Sequence, residues 1–195
     1  DDPVAAVGSP RGAETRREFL TLDELRRLSA LPHERPVWKR AFLFSCMTGL
    51  RFSDVKALTW GEVAEAEGFT RITFEQRKTG GLEYLDITEQ AARLMGERGP
   101  AGGAVFPDMP TAAAVCSGLG RWVAQAGIGK HITFHSARHT FAVMMLDLGA
   151  DIYTVSKLLG HRELATTQIY AKVLDKNKRR AVGLIPDILG EQGRE

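Results

Sequence analysis

The sequence predicts a mainly helical chain that carries one small antiparallel β-sheet, an α+β class. Three observations lead there. Several apolar runs have helical spacing and are bounded by capping residues and glycines. One stretch after Trp60 switches to alternation of apolar and polar residues. The composition, 44% hydrophobic and 26% charged over 195 residues, suffices for one sizeable core and is too ordinary for a disordered chain. No apolar run reaches the ~18 residues of a membrane span. The opening DDPVAAVGSPRGAE lacks the basic and apolar regions of a secretory signal. Cys46 and Cys116 form neither a disulfide framework nor a CxxC pair, so no structural zinc is expected and a reducing, cytoplasmic setting is.

The elements follow in order. Residues 1–18 are rich in Gly, Pro and Ala without an apolar period and read as a linker or disordered N-terminal segment. Thr21 and Glu24 form a capping box ahead of Leu25 and Leu28. Pro36 opens a second helix whose run Val37, Trp38, Ala41, Phe42, Leu43, Phe44 and Met47 is too long for a strand, and Gly49 ends it. Ser53 is expected to cap a short helix with Val55, Ala57 and Leu58. FTRITFEQRKTGGLEYLDIT then alternates around Thr79-Gly80-Gly81, a hairpin with a third strand near Glu62–Val63. Thr88 caps a helix over 89–96, and helices are expected at about 110–126, 136–148, 151–159, 162–170 and 172–182, punctuated by Gly127, Gly149 and Gly160.

Charge is distributed unevenly. Residues 130–180 hold nine Lys/Arg against four acids, an excess larger than the whole chain's net +2, so the remainder is net negative. Four of the five histidines lie in the same stretch: His131, His135, His139 and His161. A cationic, histidine-rich third suits a polyanion such as nucleic acid, although a solvated helix face has the same composition.

Four local motifs carry chemistry. In Thr48-Gly49-Leu50-Arg51-Phe52-Ser53-Asp54 an arginine emerges between two helices; alone, it reads also as a surface arginine paired with Asp54. In Arg77-Lys78-Thr79-Gly80-Gly81 a lysine sits at a hairpin tip, where a solvated turn lysine is the plain alternative. In His135-Ser136-Ala137-Arg138-His139 the first histidine and the arginine are three residues apart and can face one ligand. A guanidinium grips phosphate oxygens bidentately while an imidazole handles protons. His139 lies one turn beyond His135, but HSARH lacks the acid of an HExxH zinc site. In Leu158-Leu159-Gly160-His161, continuing to Thr166-Thr167-Gln168-Ile169-Tyr170, a tyrosine follows the histidine by nine residues. Among the three tyrosines, Tyr84 falls in the hairpin and Tyr153 reads as core beside Ile152, Val155 and Leu158, whereas Tyr170 lies in neither.

In this order and spacing, the four motifs resemble the tyrosine recombinase (phage integrase) family over roughly residues 18–182. The resemblance implies the catalytic-domain fold of that family over residues 19–182, with 183–195 as a C-terminal tail that packs either on its own core or on a neighbouring protomer. It implies an Arg–Lys–His–Arg–His–Tyr constellation at Arg51, Lys78, His135, Arg138, His161 and Tyr170, with Asp54 supporting Arg51. Arg77 competes with Lys78 for its role, and Arg77, Lys172, Lys176, Lys178, Arg179 and Arg180 are expected to contact DNA.

The implied activity is that of a site-specific recombinase, a mobile-element integrase that cleaves and rejoins DNA through a 3′-phosphotyrosine intermediate. The implied partners are double-stranded DNA and other protomers in a tetrameric synaptic complex. No cofactor or metal is implied, and the chain offers no P-loop, Rossmann fingerprint or acidic metal cluster. A type IB topoisomerase shares the constellation and relaxes supercoils, and a DNA-binding accessory protein that does not cut is a third reading. The family's N-terminal core-binding domain is not recognisable ahead of residue 18, so the expectation is an isolated catalytic domain, bacterial or phage-encoded.

Overall fold

A computed structural model describes residues 18–75, 82–161, 163–170 and 182–186. Helix α1 (Leu22–Ala30) starts at the expected capping box, with Thr21 N donating to Glu24 Oε2 at 2.7 Å and Glu24 N to Thr21 Oγ1 at 3.3 Å. The same carboxylate receives Lys130 Nζ at 2.6 Å, which ties the first helix to the loop ahead of the sixth. Helix α2 (Pro36–Thr48) has Pro36 in its first turn and ends at Gly49, whose φ of +72° is the left-handed cap that glycine adopts without strain. Helix α3 (Phe52–Ala57) has Arg51 as its N-cap residue, so the expected cap at Ser53 is displaced by two residues and Ser53 lies inside the helix.

After a 3-10 turn at Trp60–Glu62 come β1 (Val63–Ala66), β2 (Phe69–Glu75) and β3 (Leu82–Ile87), an antiparallel sheet in the order β1-β2-β3. The β1–β2 hairpin turns at Glu67-Gly68, both at positive φ (+54° and +82°), as tight hairpins with right-handed twist require. The register sets Ile72 opposite Val63 and Leu85, all three on the buried face, and Arg71 opposite Asp86. Helices α4 (Glu89–Met95), α5 (Ala112–Gln125), α6 (Phe134–Asp147) and α7 (Ile152–Leu158) follow, with Thr88, Thr111 and Asp151 side chains capping α4, α5 and α7.

Helix α6 is the axis of the fold. Ten of its fourteen residues are buried, so no polar face remains and its polar side chains must bond internally. Thr140 does so twice, accepting from Leu20 N at 3.0 Å and donating to Ser136 O at 2.8 Å. The larger apolar cluster joins α1–α5 and the sheet around Phe42, Phe44, Phe106 and Trp122. Each such side chain contributes about 1.5–3 kcal/mol on burial. A smaller cluster on the far side of α6 holds Phe141, Leu146, Val155, Leu159 and Tyr170. No described helix is long and apolar enough to cross a membrane.

Two further expectations need correction. Residues 163–170 are not an α-helix but two 3-10 turns, Leu164–Thr166 and Gln168–Tyr170, the tighter winding that delivers the Tyr170 ring into the small cluster. Tyr153 is not core; it is 60% exposed with Lys157 Nζ 5.3 Å above its ring. The Thr79-Gly80-Gly81 turn, residues 1–17 and 171–181, and most of the tail lie outside the described residues.

Candidate active site

Four segments converge on one cleft of about 330 Å³, lined by Arg51, Asp54, Tyr84, Asp86, Arg138 and Lys157 among others. The α2–α3 junction brings Arg51. Its Nη1 lies 3.9 Å from Oδ2 of Asp54, a carboxylate almost fully buried, so the acidic partner expected from the sequence is in place.

Arg138 rises from the middle of α6 and is buried. Its Nη1 donates to Gly49 O at 2.8 Å and its Nη2 to Leu159 O. One guanidinium thereby joins the end of α2 to the end of α7. Both carbonyls are exposed to it by helix termination: Gly49 is the left-handed cap of α2, and Leu159 caps α7. Burial, then the nearby Arg51 charge, pushes the Arg138 pKa down to about 10, so it stays cationic at neutral pH. Among the described residues no carboxylate pairs directly with this cation, and two carbonyls hold it in a fixed orientation.

His161 follows Gly160 (φ +59°), with Nδ1 2.7 Å from Oγ1 of the fully buried Thr167. Burial first, then the charges of Arg138, Arg51 and His135, pushes its pKa down to about 4. It is therefore neutral at pH 7, with one ring nitrogen engaged by Thr167. His135 stands exposed on α6, its ring edge-on to His139 at 4.6 Å between centroids. Tyr170 is 6% exposed, its hydroxyl 2.5 Å from His139 Nδ1.

Of the residues expected at the site, Arg51, Asp54 and Arg138 line the cleft, while His161 and His135 lie within electrostatic reach of each other, His161 also of Arg51 and Arg138, and Tyr170 within reach of Arg138. Lys78, Arg77, Lys172, Lys176, Lys178, Arg179 and Arg180 lie outside the described residues. The sequence reading missed two groups. His139 touches Tyr170, and the signal was present, since positions 135, 138 and 139 share one helical face. Lys157 lines the cleft three residues ahead of Gly160, with no signal beyond its charge. On the sheet side, Arg71 grips Asp86 through Nε at 2.6 Å and Nη2 at 2.8 Å and stacks 4.8 Å from the Tyr84 ring. That bidentate pair offsets the negative charge of Asp86, a strand carboxylate that lines the cleft.

A profile of the phage integrase family matches residues 18–177. The chain is 30% identical over 196 aligned residues to the tyrosine recombinase XerD of Lacticaseibacillus casei, covering 90% of this chain and 65% of that protein. It is 32% identical to XerD of Shewanella oneidensis, with 88% and 62% covered. It therefore spans somewhat under two thirds of the length of these curated relatives. Its fold is similar to the catalytic domain of bacteriophage HP1 integrase (TM-score 0.64, 24% identity, 86% of this chain and 95% of that one). It is also similar to XerA recombinase (TM-score 0.68, 23% identity, 89% and 66% covered).

Proposed function

Because the chain belongs to the phage integrase family, we propose that it is the catalytic part of a site-specific DNA recombinase of a mobile element, cutting and rejoining strands through a 3′-phosphotyrosine at Tyr170. One observation carries the reading. His161 lies within electrostatic reach of Arg138, Arg51 and His135, and Arg138 within reach of Arg51 and Tyr170, although these residues come from separate segments. Asp54 offsets one of the two guanidinium charges, and the remaining positive charge is left for an anion to balance.

The chemistry follows from the groups. Arg138, fixed by two carbonyls, presents its remaining donors to a phosphoryl oxygen, and Arg51 supplies a second guanidinium. In this reading the Thr167 hydroxyl, 2.7 Å away, donates to Nδ1, so neutral His161 carries its proton on Nε2 and donates it to the charge that builds on the phosphorus oxygens. Tyr170 Oη attacks phosphorus, the bond to the 5′-oxygen breaks, and Lys78 protonates that oxygen. The phosphodiester energy stays in the O–P bond to tyrosine, so the reverse attack by a 5′-hydroxyl reseals DNA without ATP. Double-stranded DNA is the substrate, and other protomers assemble on it as a tetramer.

A nicked suicide duplex tests the reading. The protein, with the rest of its natural chain restored, is expected to form a covalent band that Tyr170→Phe abolishes. A band that survives that change sinks the assignment. Joining strands from two duplexes, rather than relaxing one circle, separates a recombinase from a topoisomerase.

A further inference from the structure

His139 has no part in the constellation above, yet it holds the nucleophile. It is buried on α6, and its Nδ1 lies 2.5 Å from Tyr170 Oη, with the two rings 5.7 Å apart and tilted by 58°. The Tyr170 ring lies in the small cluster with Phe141, Val143, Val155 and Leu159. A free phenol, with a pKa of about 10, is protonated at neutral pH. Its proton must leave as the bond to phosphorus forms, to an acceptor already in hydrogen-bond contact. His135 is placed one imidazole further out, edge-on to His139 and exposed.

We propose that His139 accepts the Tyr170 proton during strand cleavage, which rests on the strand-cleavage reading above. In the resting enzyme neutral His139 carries its proton on Nε2 and Tyr170 Oη–H donates to Nδ1. As the Oη–P bond forms and the P–O5′ bond breaks, the phenol proton passes to Nδ1, giving an imidazolium. The electron pair of the broken bond leaves on the 5′-oxygen, which takes a proton from Lys78. On rejoining, the 5′-hydroxyl returns its proton to that lysine, and the departing phenol oxygen recovers its own from His139. Transfer before attack is uphill, because a phenol (pKa about 10) is a far weaker acid than an imidazolium (about 6.5). The proton therefore waits for phosphorus, and a buried tyrosine stays inert without DNA.

Two measurements test the proposal. In the DNA-free protein labelled with 15N-histidine, His139 is expected to show a bare Nδ1 and a protonated Nε2, with the Nδ1 signal moving in Tyr170→Phe. A proton on Nδ1 overturns the proposal, and this arm needs neither DNA nor activity. On the suicide duplex, His139→Asn keeps an acceptor oxygen close to the Nδ1 position but takes up no proton. Its cleavage is expected to fall by about 10²–10⁴-fold with duplex affinity unchanged. Cleavage by His139→Asn at the wild-type rate would reduce His139 to a positioning residue and overturn the proposal. If the unmutated protein forms no adduct, the strand-cleavage reading fails instead, and the NMR arm still reports the direction of the hydrogen bond. That arm also stands if the Asn variant does not fold.

Discussion

The backbone carbonyl of Gly49 receives Nη1 of Arg138 at 2.8 Å, so a helix cap and a site residue 89 positions apart are a single structural unit. The cap is constrained twice. Its φ is +72°, and a Cβ there would sit 2.6 Å from Phe141 Cδ1 and 3.0 Å from Leu159 Cδ2.

Gly49→Ala should therefore be costly beyond ordinary helix-end changes. Left-handed strain and overpacking together predict about 2–4 kcal/mol of lost stability. For a chain of this size that is a fall in Tm of roughly 5–15 °C in thermal denaturation. A stability equal to wild type would show that the cap tolerates a side chain.

Arg138→Lys should behave almost as Arg138→Ala does. A lysine has one nitrogen and cannot span the two carbonyls of Gly49 and Leu159 while also reaching a phosphate. Loss of such a preorganised donor is worth about 10²–10³ in rate. Suicide-substrate cleavage should drop by at least that much in both variants while filter-binding affinity for duplex changes little. A matching loss of affinity would make Arg138 a phosphate anchor instead.

His161 should titrate near pH 4 in the DNA-free protein, followed by NMR, because burial and its cationic neighbours disfavour the imidazolium. The unfolded chain takes up the same proton near pH 6.5, so below that pH the unfolded state binds more protons. The stability tied to neutral His161 is thus whole above about pH 6.5 and is lost as pH falls toward 4. A duplex phosphate placed among Arg51, Arg138 and His161 should raise the midpoint. A midpoint that DNA leaves unmoved would place the phosphate elsewhere.

Lys78→Ala should be severely impaired on ordinary DNA and largely restored on a 5′-bridging phosphorothioate, because a thiolate leaves without a proton. Tyr170→Phe should not be restored, since its defect is at the attacking oxygen. Restoration of Arg77→Ala in place of Lys78→Ala would move the acid to the neighbouring residue.

Local chemistry made much of this protein legible in one dimension. Thr21 and Glu24 marked the start of α1, Pro36 and Gly49 bracketed α2, and the alternation from Phe69 to Ile87 marked the sheet, because caps and periodicity act over a few residues. The short motifs around Arg51, Arg138, His161 and Tyr170 offered candidate site residues through a family resemblance, and the structure brings these residues close together. The path of residues 163–170 could not be read locally. Helical spacing suited them, yet burying the Tyr170 ring against α6 and α7 outweighs the weak intrinsic preference for an α-helix, and two 3-10 turns result. Tyr153 erred the other way, since which face of α7 meets α6 is fixed by packing and not by the face's own composition. The sequence determined which cationic and imidazole side chains the motifs carry. Only the tertiary structure decided that Arg138 would be locked by the carbonyls of Gly49 and Leu159, and Tyr170 by His139, because these contacts join segments 21 to 89 residues apart and exist only once the helices have packed.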